Sequence, residues 1–213
     1  MNTADLISQL SQDSPKARLR SPGYFGCWLG AVLVAYGLGA QFFLHIRPDL
    51  IIQLTRPMFA LEIILLGLLI ITNAASAILA MYPDMHQKHW ALNLPYIIFA
   101  ALTAFILFQL MMPHDTRMVM PKIGSHGMEC ALCIASVALI PSALIFTLVR
   151  KGASVHPLRA GSFAVLAASG IGCLTQRLSE ANDSLMHLTQ WHYLPTLLFA
   201  ALGALIGKWL LKW

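Results

Sequence analysis

Polar and apolar positions in this chain segregate into long blocks. Six apolar stretches, at roughly 24–46, 58–80, 91–112, 128–149, 160–178 and 192–211, are each about long enough to cross some 30 Å of hydrocarbon as a helix. The fifth is the shortest and the weakest. The expected fold is all-α: an integral membrane bundle of six transmembrane helices preceded by a short cytoplasmic N-terminal helix. An even number of crossings returns both termini to one side.

The one substantial polar segment, Met1 to Pro22, precedes the first block. Asn2 or Thr3 can cap a short helix with Leu6, Ile7 and Leu10 on one side and Asp5 in the first turn. Two or three turns are marginal alone in water, so the segment suits a partner groove or the bilayer surface. Pro15, Lys16, Arg18 and Arg20 then lead to Ser21-Pro22-Gly23, a break before the membrane. No apolar core precedes the basic residues, so no cleavable signal is expected. The chain divides into a partner-binding segment, 1–22, and a transmembrane domain, 23–213.

Composition agrees: 58% of the 213 residues are hydrophobic and 11% charged, with a mean hydropathy of +0.69, where soluble domains carry about 25% charged residues. The net charge of +5 does not point to nucleic acid, because the basic residues sit in short loops and not on one soluble face. They set orientation instead. Lys16, Arg18, Arg20, Lys88, Arg150, Lys151, Arg159, Lys208 and Lys212 share the side of the N-terminus, and Arg47, Arg56, Arg117, Lys122 and Arg177 the other. Nine against five favours both termini in the cytoplasm.

Candidate chemistry gathers at the head of the fourth stretch, Met128-Glu129-Cys130-Ala131-Leu132-Cys133. On a helix Cys130 and Cys133 share a face and Glu129 lies one turn from Cys133, with His126 in the loop just before. The topology puts this helix mouth at the outer surface. Thiolate, carboxylate and imidazole together suit a zinc-like or heavier thiophilic ion, so Cys130, Glu129, His126 and Cys133 form the candidate metal set. The first helical turn favours a Cys130 thiolate, and the adjacent Glu129 opposes it. Cys173, near the outer end of the fifth stretch, can meet Cys130 if those helices are neighbours, which makes Cys130 and Cys173 the redox candidates. Cys27 reads as small apolar filler.

Glu62, a turn into the second stretch, is a carboxylate within a span and able to pair with Arg56. No resident cofactor is expected, a metal entering only as a signal. The chain has no phosphate loop, dinucleotide fingerprint, HExxH or nucleophile elbow, so ordinary enzyme chemistry is not expected. Two other classes stay open. One is a membrane thiol-disulfide oxidoreductase using Cys130 and Cys133. The other is a small transporter, to which the echo of Leu94-Pro95 through Leu102 in Leu194-Pro195 through Leu202 lends an inverted repeat.

Short pieces in a fixed order carry a resemblance: Thr3-Ala4-Asp5-Leu6-Ile7, Arg47-Pro48-Asp49-Leu50, Glu129-Cys130, Arg150-Lys151-Gly152-Ala153 with Pro157 and Ala160-Gly161, Trp191-His192-Tyr193, and Leu211-Lys212-Trp213. Together they resemble the NrsF-type anti-sigma factors, six-span bacterial inner-membrane regulators of extracytoplasmic-function (ECF) sigma factors. The resemblance implies a cytoplasmic N-terminal segment that holds an ECF sigma factor away from RNA polymerase, with Asp5, Leu6, Ile7, Leu10, Arg18 and Arg20 as the binding residues. An outer-side metal or oxidant acting on cysteine would release it. Besides the sigma factor only membrane lipid is an expected partner, and no direct nucleic-acid contact. Cys130 matches the family's cysteine at the head of the fourth span. The family pattern also has a cysteine in the last outer loop, where this chain carries Ser179-Glu180-Ala181-Asn182-Asp183, leaving Cys133 or Cys173 to substitute.

Overall fold

The computed structural model describes residues 2–12, 19–84, 89–112 and 127–211. Helices account for nearly all of them, with no strand among the described residues. A short α1 (Thr3–Gln12) precedes α2 (Pro22–Leu44), α3 (Leu50–Leu54), α4 (Pro57–Leu79), α5 (His89–Met111), α6 (Gly127–Val149) and α7 (Pro157–Ser179). A single turn, α8 (Leu185–His187), runs through a π-helical turn (Leu188–Tyr193) into α9 (Leu194–Leu210). Six of these helices are long and apolar enough to cross a membrane, which makes the chain a membrane protein: α2, α4, α5, α6, α7 and the composite of α8, the π turn and α9. Proline opens α2, α4 and α7, where its missing N–H leaves no bond unmade, and the Ser21 side chain caps α2 by accepting from the Tyr24 N–H.

The weak fifth stretch is the middle of the bundle. Helix α7 spans 23 residues, as long as α4 and α6 beside it, yet 78% of its apolar window is buried against protein, compared with 17–39% for the other spans. A helix surrounded by protein has no need of large apolar groups toward lipid. It needs small ones that let neighbours approach. That is why the least apolar span is the most central. A Cβ on Gly161 of α7 would stand 2.2 Å from the Gly203 carbonyl oxygen and 2.7 Å from Gly207 Cα on α9. One on Gly172 would stand 2.7 Å from the Ile134 carbonyl oxygen of α6. The Gly26-x-x-x-Gly30 pair of α2, by contrast, has open space beside it.

A few polar bonds tie the helices laterally, the Tyr36 hydroxyl donating to the Val137 carbonyl at 2.8 Å and Ser76 Oγ to the Ala91 carbonyl at 3.1 Å. At the end bearing the N-terminus, the Ala153 N–H donates to the Met81 carbonyl at 2.9 Å, tying the turn after α6 to the turn after α4. Beside it the Tyr82 hydroxyl donates to the Arg20 carbonyl, so the chain leading out of the N-terminal segment is anchored on the bundle. Arg20 also lays its guanidinium 4.4 Å from the Tyr24 ring.

Candidate functional site

At the opposite end, the C-terminus of α7 and the starts of α6, α8 and the π turn converge. Cys130, in the first turn of α6, is buried, and its Sγ lies 3.5 Å from Glu180 Oε2, just past the end of α7. Glu180 Oε2 is also 3.0 Å from His192 Nε2, on the π turn, and Oε1 is 3.0 Å from His187 Nε2, on α8. The four donor atoms all lie within 4.8 Å of one another.

Local chemistry explains the convergence. Pro195 cannot donate to the carbonyl one turn back, and the helix widens into a π turn just before it, a device frequent at functional sites. The wide turn carries His192 inward and packs Trp191 against Gly127, where a Cβ would fall 2.3 Å from the indole ring. Bare backbone at Gly127 thus lets α6 begin close enough for Cys130 to reach Glu180.

Beside this cluster runs a chain of buried charges. Arg177 donates from Nε to Glu62 Oε1 at 2.9 Å and from Nη1 to Asp183 Oδ1 at 2.7 Å. The Tyr193 hydroxyl donates to Glu62 Oε1 at 2.5 Å. Arg47 reaches Asp183 at 2.9 Å, Asp49 at 2.7 Å and the Glu180 carbonyl at 3.0 Å, while its own N–H donates to the Leu178 carbonyl. Arg47, Arg177 and Glu62 are each at most 5% exposed, so these ions exist only as partners. The Phe59 ring sits 4.6 Å from the Arg177 guanidinium. The loop 180–183 is therefore held from two sides.

The charges shift one another. Burial pushes the Asp183 carboxyl up, but hydrogen bonds from Arg47 and Arg177 and their charges outweigh it, so it ionises below the ordinary carboxylate range. Burial likewise opposes the Glu180 charge, and the hydrogen bond and charge of His192, with His187, bring its net shift below the ordinary value. Arg47 is raised, chiefly by its hydrogen bonds to Asp49 and Asp183.

Of the residues expected from the sequence, the structure brings Cys130 alone into this cluster. Glu129 is exposed and Cys133 half-buried on α6, and His126 lies outside the described residues. Helices α6 and α7 are neighbours, yet no disulfide joins Cys130 to Cys173 among the described residues. Cys173 Sγ donates to the His192 carbonyl at 3.3 Å and borders an apolar cavity of about 140 Å³ lined by Leu66, Leu102, Ser169 and Tyr193. Cys27 is exposed on α2. Glu62 pairs with Arg177 and not with Arg56. In the N-terminal segment Asp5 and Ile7 are exposed on α1; Arg18 and the side chains of Leu6 and Leu10 lie outside the described residues.

The NrsF family, "Negative regulator of sigma F", has a sequence model that matches residues 10–213. The chain belongs to this family. It is 27% identical to a "Probable anti-sigma-F factor NrsF" of Azospira oryzae and 25% identical to the "Anti-sigma-F factor NrsF" of Caulobacter vibrioides, each alignment covering both chains entirely. No solved structure matches. Membership places the chain in a family of negative regulators of a sigma factor. The loop after α7, which carries no cysteine, presents Glu180, whose carboxylate stands against Cys130.

Proposed function

We propose that this protein is an anti-sigma factor of the bacterial inner membrane, with both termini in the cytoplasm, that captures an ECF sigma factor through residues 1–22. A signal at the outer end, a metal or an oxidant received around Cys130, releases it. The observation that carries the reading is the spacing of two ends. The Cys130–Glu180 cluster and the Tyr82–Arg20 anchor lie at opposite ends of one bundle, and α4 and α7 run the full distance between them. Helix α1 supports the capture role, because it is ten residues long, leaves Ile7 62% exposed and carries Asp5 in its first turn.

Signalling on this scheme is a shift between a captured and a free population. Moving the balance from about 99:1 to 1:99 needs roughly 5.5 kcal/mol of differential interaction, within reach of metal–thiolate bonds. The test is a pull-down from detergent with the full-length protein and with one lacking residues 1–22. Co-purification of a sigma factor with the first and not the second is expected; equal capture by both removes the assigned role of the segment.

A further inference from the structure

Resting on the reading that the Cys130 end receives the signal, we propose that Cys130, Glu180, His187 and His192 form a binding site for one divalent transition-metal ion of the zinc type. This donor set differs from the one expected from the sequence. It keeps Cys130 and draws its other three ligands from α8, the π turn and the loop after α7.

The chemistry of the four donors decides the class of ion. One sulfur, one carboxylate oxygen and two imidazole nitrogens are the borderline ligands of tetrahedral zinc, while calcium and magnesium take oxygen alone. A thiolate and a carboxylate together carry two negative charges, which cancel a dication and leave a neutral centre at this half-buried position. As the metal–sulfur bond forms, the Cys130 thiol proton leaves to water and no electron changes hands.

The geometry is that of a site poised to close. Tetrahedral bonds of about 2.0–2.3 Å place ligand atoms roughly 3.3–3.8 Å apart. The four donors already lie within 4.8 Å, so the widest pair must tighten by about an ångström. One of the four donors also has bonding capacity to spare. His187 Nε2 is buried and aimed at the Glu180 carboxylate at ion-pair distance, yet it meets no hydrogen-bond geometry with any described atom. Outer contacts steady the set: Gln176 Nε2 donates to Cys130 Sγ at 3.7 Å, and Cys173 Sγ holds the His192 carbonyl. Tightening the four draws the starts of α6 and the π turn toward the loop that Arg47 and Arg177 clamp. That loop is the end of α7, the helix that reaches the N-terminal side.

The test uses the full-length protein in detergent, freed of its affinity tag and of metal, titrated with Co²⁺ and with Zn²⁺. One equivalent of Co²⁺ is expected to give tetrahedral d–d bands with a sulfur-to-cobalt charge-transfer band. Cys130→Ser should abolish the charge-transfer band, and Glu180→Ala and His192→Ala should each weaken affinity by at least about 100-fold, more than loss of an outer contact costs. Cys133→Ser should leave the spectrum unchanged. X-ray absorption of the zinc-loaded wild type needs no variant and should find one sulfur and three nitrogen or oxygen neighbours. No stoichiometric uptake, a shell without sulfur, or a charge-transfer band that survives Cys130→Ser overturns the site. Sigma capture by the same metal-free sample is scored separately: capture without metal uptake sinks the site and spares the anti-sigma reading, and uptake without capture does the reverse.

Discussion

Replacing Arg177 by Met removes a guanidinium that holds two carboxylates while keeping most of the side-chain volume. Glu62, 4% exposed, then keeps, among the described residues, only the Tyr193 hydroxyl as a donor, and Asp183 keeps Arg47. Removing one partner of a buried ion pair costs about 3–5 kcal/mol, because the other charge is left uncompensated. The remaining donor on each carboxylate puts the expected loss at the low end, about 3 kcal/mol. For a chain of this size that is a fall of roughly 6–12 °C in the midpoint of thermal unfolding. The assay is size-exclusion of heated, detergent-solubilised full-length protein. The double variant Glu62→Gln/Arg177→Met removes both charges and should recover most of the loss, to within about 1 kcal/mol of wild type. A double variant as unstable as the sum of the two singles, or an Arg177→Met protein that melts with wild type, refutes the reasoning.

Other outcomes follow from the same structure. Gly161→Val should disrupt the α7–α9 contact and lower the folded yield sharply, with overpacking of at least about 1–3 kcal/mol, while Gly26→Val, beside open space, should melt within a degree or two of wild type; similar behaviour of the two contradicts the packing. Asp183 ionises below its ordinary value, so its contribution to stability is whole above about pH 4 and is lost as pH falls through the lowered folded value. The unfolding midpoint should therefore fall as pH drops below about 4, and Asp183→Asn should flatten that fall; an unchanged slope removes Asp183 as a cause. In a background without native cysteines, an impermeant thiol reagent should label Ala181→Cys in intact spheroplasts and Ser21→Cys only after lysis, both positions being exposed; the reverse pattern inverts the topology.

The six spans were legible in the sequence because lipid demands long apolar runs, and their bounds moved by only a few residues except where α8 and the π turn begin the last span earlier. The standing of α7 was not legible, since hydropathy measures fitness for lipid and α7 meets protein. Of the site, Cys130 could be read from its place in a first helical turn. His192 is turned inward by the π turn before Pro195 and His187 sits on the short helix ahead of it, so the direction of neither could be read from regular helical spacing. Glu180 left no such trace: it is one of two acids in a short polar loop, and nothing local sets it apart from a solvated charge. Arg177 read as one more topogenic charge, although a buried Glu62 across the bundle requires a cation.

On the proposed scheme, occupancy at the Cys130 end changes capture at the N-terminal end. The direct measurement is the affinity of the co-purified sigma factor for full-length protein in lipid nanodiscs, metal-free and zinc-loaded, with Cys130→Ser as control. Weaker capture on loading is expected, approaching about 10⁴-fold for a complete switch, with no change in Cys130→Ser. Equal affinity with and without bound zinc in the wild type contradicts it.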